Sequence, residues 1–351
     1  MNKKIIFKKL NILTLAATLS LGLAGCGSQT TSYIINVSYD PTREFYESYN
    51  QLFMDHMSGQ LPEDFDIIQS HGGSGKQALE VANGLEADVV TLALEEDITS
   101  IAETGLIDAG FTSEFDDDSA PYTSTIVFLV RKDDPKAIYD WDDLLRDDVG
   151  VITPNPQTSG GARWNYLAAW YYFEQAGYSY DEIVAAMKLL YSHVVVLDSG
   201  ARASTTSFVE NGQGDVLLAW ENEAFLCMEE YPDQYEIVIP STSILCQPTV
   251  ALVDEMVDKH GSREIATEYL SYLYSTEAQE LIGQNYYRPV DKAVAAEFIY
   301  SGDSRTITST PADGRWLLED IDLTDINHFG GWDEATAEHF ADGGIFDSIY
   351  E

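Results

Sequence analysis

The sequence predicts an α/β fold with largely parallel sheets. Short runs rich in Val and Ile alternate with stretches of helical periodicity, and most of these runs end at a Gly, Ser or Asp that opens a helix. The predicted strands cover residues 33–38, 66–69, 88–92, 125–130, 149–153, 194–197, 215–219 and 236–239. A chain of 351 residues is long enough for two lobes, each with its own core.

The first strand is followed by a helix with clear start signals. Asp40 is a candidate N-cap, and Pro41 suits the first helical position, where a backbone N–H would have no partner. The apolar side chains that follow recur at helical spacing and predict one buried face: Phe45, Tyr49, Leu52, Phe53 and Met57.

Four strand-to-helix turns carry small or capping residues, near Asp40, Ser74, Ser159 and Ala201, and Trp220 follows a fifth strand. In open α/β sheets such turns gather at the carboxyl ends of the strands, where ligands bind. The first N–H groups of a helix lack intrahelical partners and can bind an anion there. Hydrogen bonds to a charged group contribute about 1.5 to 3 kcal/mol each, whereas a dipole end adds about 0.3 to 1 kcal/mol. We therefore expect an anion site made mainly of neutral donors.

The composition is strongly acidic, with a formal net charge of -40. This charge excludes nucleic acid as a natural partner, because phosphate backbones require cationic surfaces. It would also repel a small anion at long range, so any anion site must depend on local, oriented donors.

The glycine-rich stretch from His71 to Gln77 invites two other interpretations. A phosphate-binding P-loop requires Gly at position 70 and Ser or Thr at position 77, where Ser70 and Gln77 stand. A nucleophile elbow around Ser74 requires Gly at position 76, which is Lys76. The stretch is therefore interpreted as a turn at a helix start, either purely structural or open to a ligand. A secreted serine hydrolase using Ser74 or Ser159 stays a remote alternative, since no spacing supplies a base.

Cys227 and Cys246 are the only cysteines beyond the leader, and they lack the paired spacing of a zinc or thiol redox site. In an exported protein they could form a disulfide. A buried free thiol at Cys227 is the equal alternative, because this residue stands in an apolar helical stretch.

The first 26 residues have the pattern of a signal peptide: four lysines precede an apolar stretch from Ile12 to Leu23 that is too short to span a bilayer. The sequence Leu-Ala-Gly-Cys that ends at Cys26 resembles the lipobox of bacterial lipoproteins, whose cysteine is acylated. We therefore expect an extracytoplasmic protein with a lipid anchor on Cys26 and a short tether over residues 27–32. A chance cysteine after a conventional signal peptide is the alternative.

Long segments of the chain, in order, resemble the sulfate-binding proteins that serve bacterial ABC importers. They include NVSYDPTRE from residue 36, QSHGGSGKQA from residue 69, VITPNPQTSGGARWNYLAAW from residue 151, VLDSGARAST from residue 196 and GDVLLAWENEA from residue 214. The similarity extends from about residue 33 to residue 350, and residues 300–325 follow the family pattern poorly. Several long matches in sequence order are far more specific than any single short motif.

The resemblance implies the two-lobe periplasmic binding protein fold of type II, with mixed, mainly parallel sheets. Lobe 1 would take residues 33–120 and 246–351, the latter with a C-terminal segment, and lobe 2 residues 121–245, with hinge strands at both ends. The lobes would close on one dehydrated sulfate without a cofactor or metal, and a monomer would present it to the importer's permease. Thiosulfate, or another tetrahedral oxyanion such as molybdate, is the alternative ligand.

Carried over position by position, the resemblance implies a ligand set of uncharged donors: the backbone N–H of Asp40, Ser74, Ser159, Gly160, Gly161, Ala201 and the indole of Trp220. Arg163 and Arg202 stand beside the ligand turns, where they would steady the backbone without touching the anion.

Overall fold

The computed structural model describes residues 31–350 except 301, 303 and 320. The leader, Cys26 and most of the predicted tether lie outside the described residues. The strands are β1 (Tyr33–Tyr39), β2 (Asp66–Gly72), β3 (Val89–Leu92), β4 (Tyr122–Thr123), β5 (Ile126–Arg131), β6 (Val151–Pro154), β7 (Val194–Asp198), β8 (Val216–Trp220), β9 (Tyr235–Val238), β10 (Thr242–Ile244), β11 (Thr249–Leu252), β12 (Arg288–Pro289), β13 (Thr306–Ile307) and β14 (Asp322–Thr324).

The helices connect and cover these strands. They are α1 (Arg43–His56), α2 (Ser74–Ala82), α3 (Glu95–Ala102), α4 (Asp116–Ser119), α5 (Gly160–Gln175), α6 (Tyr180–Ser192), α7 (Ala201–Val209), α8 (Glu221–Glu230), α9 (Asp254–His260), α10 (Arg263–Ser271), α11 (Thr276–Gln284), α12 (Lys292–Ala295), α13 (Trp332–Ala335) and α14 (Ile345–Tyr350). All eight predicted strands are present, with ends that differ by a few residues.

Two sheets organise the described chain. A four-stranded sheet has the order β11-β3-β1-β2, and a six-stranded sheet has the order β13-β9-β5-β8-β6-β7. We call the regions built on these sheets lobe 1 and lobe 2. In lobe 1, β1 is parallel to β2 and β3, and β11 is antiparallel to β3. In lobe 2, β6 is parallel to β7 and β8, but β5 is antiparallel to β8 and β9. The chain enters lobe 2 from the interlobe side at the start of β5, and β5 runs antiparallel to β8. Ile126 at the start of β5 therefore pairs with Trp220 at the end of β8.

Short strands connect the lobes. β4 leads directly into β5 and pairs with β12, while Ser124 forms an isolated bridge with Cys246 between β10 and β11. The predicted bounds of the lobes stay a prediction. The chain beyond residue 300 contributes to lobe 2: β13 pairs with β9, and the ring of Trp332 meets that of Trp164 on α5 with a centroid distance of 4.7 Å.

The predicted apolar face of the first helix is buried. Phe45, Tyr49 and Phe53 are fully buried in α1, and Leu52 and Met57 are partly buried against the same core. The predicted N-cap at Asp40 is wrong: a short 3-10 turn (Asp40–Thr42) precedes α1, its cap is Tyr39, and no side chain caps it. Pro41 allows this turn, since it needs no N–H partner.

Both Cys227 and Cys246 are buried free thiols, so the disulfide left open by the sequence does not form. Burial also raises the pKa of both thiols well above the usual range, which keeps them protonated and unreactive. Among the residues that the structure describes, no helix is both long and apolar enough to cross a bilayer.

A histidine connects α9 to the base of the lobe 1 sheet. The fully buried Asp88 carboxylate accepts hydrogen bonds from the Ile35 N–H (2.8 Å) and the Ser262 hydroxyl. His260 pairs through Nδ1 with Asp88 (3.0 Å) and through Nε2 with Glu86 (3.0 Å). Burial alone would lower the pKa of His260, but hydrogen bonds to the two carboxylates outweigh it and raise the pKa.

We expect His260 to contribute a stability that is lost at alkaline pH. Because its pKa is raised on folding, the stabilisation is complete below the unfolded pKa of about 6.5 and disappears as the pH rises through the folded value. Urea unfolding between pH 6 and pH 9 should therefore show a smaller loss of stability in His260→Gln than in the parent. His56→Gln, which removes a partly exposed pair with Glu268, is the matched control. An unchanged slope in His260→Gln would contradict the assignment.

Candidate anion-binding site

The carboxyl ends of six strands face one another between the lobes: β1, β2 and β3 from lobe 1, and β6, β7 and β8 from lobe 2. A small pocket lies where the turns after these strands meet. Its walls are formed by Tyr39, Asp40, Pro41, Gly72, Gly73, Ser74, Ala93, Ser159, Gly161 and Ala201. Five of the seven predicted ligand residues therefore line one pocket.

Trp220 lines an adjoining pocket that shares Gly161 and Ala201 with the first. Its side chain is buried, and its indole Nε1 has no hydrogen-bond partner among the residues that the structure describes. A Cβ atom on Gly161 would lie 3.2 Å from this nitrogen and 3.6 Å from Ser159 Oγ. The indole N–H is thus a buried donor beside the first turn of α5, and a buried donor without a partner costs about 1 to 3 kcal/mol.

Gly160 occupies a different position from its neighbour. It does not line either of the two pockets, and a Cβ atom there would lie 2.9 Å from Leu94 Cγ and 3.1 Å from the Ala93 Cβ of lobe 1. The residue therefore allows α5 to approach the end of β3 closely. Only its backbone N–H, in the first turn of α5, remains as a possible donor.

Three helices begin at the pocket: α2 at Ser74, α5 at Gly160 and α7 at Ala201. Gly73 and Gly200 precede α2 and α7 without side-chain caps, whereas the Ser159 side chain caps α5 by accepting the Ala162 N–H at 3.4 Å. The uncapped N–H groups in these first turns have no intrahelical carbonyl to bind. Together with the positive ends of the helix dipoles, they form a cradle for negative charge.

The two serines have different hydrogen bonds. Ser159 Oγ acts as an acceptor in its capping bond, so its hydroxyl proton can be donated to a ligand. Ser74 Oγ accepts the Ala93 N–H at 2.9 Å and donates its proton to the Asp97 carboxylate. Since the Ser74 hydroxyl is already used, its backbone N–H is the group available to an anion.

Asp97 is a site residue that sequence reasoning missed. It stands in the first turn of α3 in an acidic run, which is typical of any exposed helix start. The structure instead buries it against Ser74, and a Cβ on Gly160 would lie 3.2 Å from its Oδ2. Burial raises the pKa of Asp97 to about 6, although Ser74 and Arg163 partly oppose the shift.

These contacts do not support the hydrolase alternative. Ser74 bonds to a carboxylate, and the nearby His71 bonds through Nδ1 to Ser38 Oγ at 2.8 Å. Burial lowers the pKa of His71 to about 4, so the ring is neutral near pH 7. Within the described part of the chain, no cluster of three or more His, Cys, Asp or Glu side chains can hold a metal ion.

Arg163 and Arg202 of lobe 2 form ion pairs across the pocket with lobe 1. Arg163 pairs with Glu96 of α3, and its Nε donates to the Pro156 carbonyl at 3.1 Å, in the turn before α5. The Nη2 atom of Arg202 donates to both carboxylate oxygens of Glu44 on α1, at 2.8 and 2.9 Å. The guanidinium charges are therefore neutralised by glutamates and do not form the pocket wall.

A further cross-lobe bond comes from Trp164 on α5, whose Nε1 donates to the Ala93 carbonyl at 3.0 Å. Gly73 of lobe 1 also packs closely against lobe 2, since a Cβ there would lie 3.2 Å from the Thr158 carbonyl oxygen. These contacts show that the two lobes are closed on a small pocket lined by hydrogen-bond donors.

Comparison with known proteins identifies the family. Residues 36–288 match the profile of the bacterial extracellular solute-binding proteins. A sulfate-binding protein of Escherichia coli is 54% identical over 319 residues, covering 90% of this chain and 92% of that protein. A thiosulfate-binding protein of Pseudomonas aeruginosa is 41% identical over 339 residues, covering 96% of each chain.

A solved structure supports the same assignment. The sulfate-binding protein SubI from Mycobacterium tuberculosis superimposes with a TM-score of 0.74 at 29% identity, covering 87% of this chain and 98% of that one. The mixed α/β architecture with two lobes agrees with the predicted fold class. The chain belongs to the bacterial extracellular solute-binding proteins.

Proposed function

We propose that this protein binds one sulfate dianion outside the cytoplasm and delivers it to an ABC importer. The relatives named as sulfate-binding proteins support the ligand, since they are 52 to 54% identical over 90% of this chain. The observation that carries the proposal is the buried indole N–H of Trp220, which has no partner among the described residues and lies beside helix starts that also supply N–H groups. A ligand there must accept hydrogen bonds from several sides and need not donate any.

The proposed ligand groups are mainly backbone N–H groups of the turns, with two side chains. They are the N–H groups of Asp40, Ser74, Gly160, Gly161 and Ala201, the hydroxyl of Ser159 and the indole of Trp220. Arg163 and Arg202 hold the closed arrangement through Glu96 and Glu44. A closed pair of lobes is the form that a permease can distinguish from an empty, open one.

Such a site favours an anion that carries no proton. Near neutrality phosphate keeps a proton, and among donors this proton would be left without an acceptor. The Asp97 carboxylate lies beside Ser74, but its Oδ2 already accepts the Ser74 hydroxyl. We therefore expect sulfate to bind more tightly than phosphate.

Thiosulfate is the second candidate ligand, because the Pseudomonas aeruginosa relative is named as a thiosulfate-binding protein. A tetrahedral oxyanion such as molybdate would meet the same donors. These ligands differ in size and in the number of oxygen acceptors. A competition titration compares their affinities directly.

A thermal-shift panel tests the proposal. A ligand that binds only the native state stabilises it by about 2.7 kcal/mol at 100 times its Kd. We expect a clear rise in Tm with sulfate and a much smaller one with phosphate at equal ionic strength, with chloride as the control salt. Titration of thiosulfate and molybdate against bound sulfate ranks the alternatives. A larger shift with phosphate than with sulfate would contradict the proposed donor-only site.

The proposal includes export and anchoring. The signal-like leader predicts that the protein leaves the cytoplasm, and the lipobox-like ending predicts that Cys26 carries the lipid. We infer that a monomer attached in this way serves the importer. Labelling with an alkyne fatty acid tests the anchor: Cys26→Ala should lose the label and Cys227→Ala should retain it.

A further inference from the structure

A buried ion pair lies directly beside the proposed ligand tryptophan. Glu221, the residue after Trp220, pairs with Arg288 of β12 through two bonds: Nε to Oε2 at 2.7 Å and Nη2 to Oε1 at 2.9 Å. The Glu221 side chain is 1% exposed and that of Arg288 is 10% exposed. Arg288 is not one of the proposed ligand residues.

The pair is one of several contacts that restrain the backbone at Trp220 and Glu221. On one side Trp220 pairs with Ile126 of β5, and the Glu221 N–H donates to the Thr125 carbonyl at 2.9 Å. On the other side the Arg288 guanidinium donates to the Glu221 carboxylate. The backbone of Arg288 pairs with Thr123 of β4, the strand that leads into β5. The start of α8 is thus held from two directions at the junction between the lobes.

The indole ring is free of other polar restraints. Trp220 Nε1 has no partner among the described residues, and the ring contacts Tyr39 with a centroid distance of 5.4 Å. Its direction is therefore set by packing and by the backbone at Trp220 and Glu221. A two-bond guanidinium–carboxylate pair fixes both distance and orientation, which a single ammonium cannot do.

Stability alone does not account for this pair. Removing two charges from water is expensive, and replacing a buried ion pair by apolar residues is often neutral or stabilising. The pair stands next to Trp220, one of the two proposed side-chain donors, which must meet the anion at hydrogen-bond distance. Its orienting effect on that donor gives a reason for its burial.

We propose that Arg288 is a positioning residue that acts through Glu221 to aim the Trp220 indole N–H at the bound anion. Arg288 does not touch the ligand. It holds the first residue of α8 against β12, so that closure of the lobes brings the indole to the anion in one defined orientation. This inference rests on the proposed role of Trp220 in sulfate binding.

A double-mutant cycle tests the proposal, with sulfate affinity measured by calorimetry. Arg288→Lys keeps the positive charge but removes the two-bond geometry of the guanidinium. We expect it to weaken sulfate binding by about fivefold to tenfold, equivalent to about 1 to 1.4 kcal/mol. In the Trp220→Phe background the same change should weaken binding less than twofold, since the donor that it positions is gone. Arg263→Lys, at an exposed pair with Asp254 and Asp258, is the matched control and should leave affinity unchanged.

The cycle separates positioning from a general structural role. Equal losses in both backgrounds, or no loss in the parent, would overturn the proposal for Arg288 while leaving the proposed function intact. An unchanged affinity in Trp220→Phe would remove Trp220 from the site and the positioning role with it. Should Arg288→Lys unfold, Glu221→Gln provides the same cycle with an isosteric side chain, and urea unfolding without sulfate identifies the folded variants.

Discussion

Replacement of Gly161 by alanine is expected to lower the affinity for sulfate by about 100-fold, the upper end of the 1 to 3 kcal/mol cost of overpacking. The added Cβ would lie 3.2 Å from Trp220 Nε1 and 3.6 Å from Ser159 Oγ, between the two proposed side-chain donors. It would push the indole away and occupy space that the anion needs. Calorimetric titration with sulfate measures the change, and unfolding of the ligand-free protein shows whether the fold is retained.

The matched control for Gly161→Ala is Gly75→Ala. Gly75 is also a helical glycine near the pocket, but its added Cβ would make ordinary contacts, 3.5 Å from Asp97 Oδ1 and 4.0 Å from the Thr158 carbonyl oxygen. Alanine favours the helix by about 1 kcal/mol over glycine, so this variant should be at least as stable as the parent and retain most of its affinity. Equal affinities for the two variants would mean that the space beside Gly161 is not the ligand site.

Replacement of Trp220 by phenylalanine is expected to weaken sulfate binding by roughly tenfold or more. The change removes one donor from a buried polar site and keeps most of the aromatic bulk against Tyr39. Leaving one acceptor of a buried ligand unpaired costs about 1 to 3 kcal/mol. Loss of the indole N–H should not lower the free energy of unfolding of the ligand-free protein, because this group has no hydrogen-bond partner among the described residues.

Trp316→Phe is the control for this substitution. Trp316 is also buried, but its Nε1 donates to the Gly283 carbonyl at 2.9 Å, and it lines neither of the two pockets. Its replacement should lower the free energy of unfolding and leave sulfate affinity unchanged. The opposite pattern, a loss of affinity in Trp316→Phe and none in Trp220→Phe, would exclude the proposed indole donor.

Local patterns in the sequence predicted most of the elements. The eight strand candidates were readable because runs of Val and Ile with turn residues at their ends carry their own signal. The starts of α2, α5 and α7 follow from small residues after strands. The N-cap assigned to Asp40 failed, because Pro41 admits a 3-10 turn before α1 and the Asp40 carboxylate pairs with Arg43 instead.

Strand direction and partner choice lay beyond local patterns. Nothing near β5 in the sequence indicates that it runs antiparallel to β8 and β9, since pairing depends on where the chain enters the lobe. The same limit applies to Asp97, which looks like a surface acid until its burial against Ser74 is known. Arg288 and Glu221 are separated by 67 residues, so their ion pair has no local signature.

Local sequence patterns predict the kind of site that we propose, with uncharged donors at helix starts and one tryptophan, in a chain too acidic to attract an anion by net charge. These properties are local, because a helix start and an indole carry their donors wherever the chain places them. The fold is needed to show that five of the predicted residues line one pocket, that the Ser74 hydroxyl donates to Asp97, and that Arg288 pairs with the residue next to Trp220. Those relations depend on how two lobes close, and closure is set by contacts between distant segments of the chain.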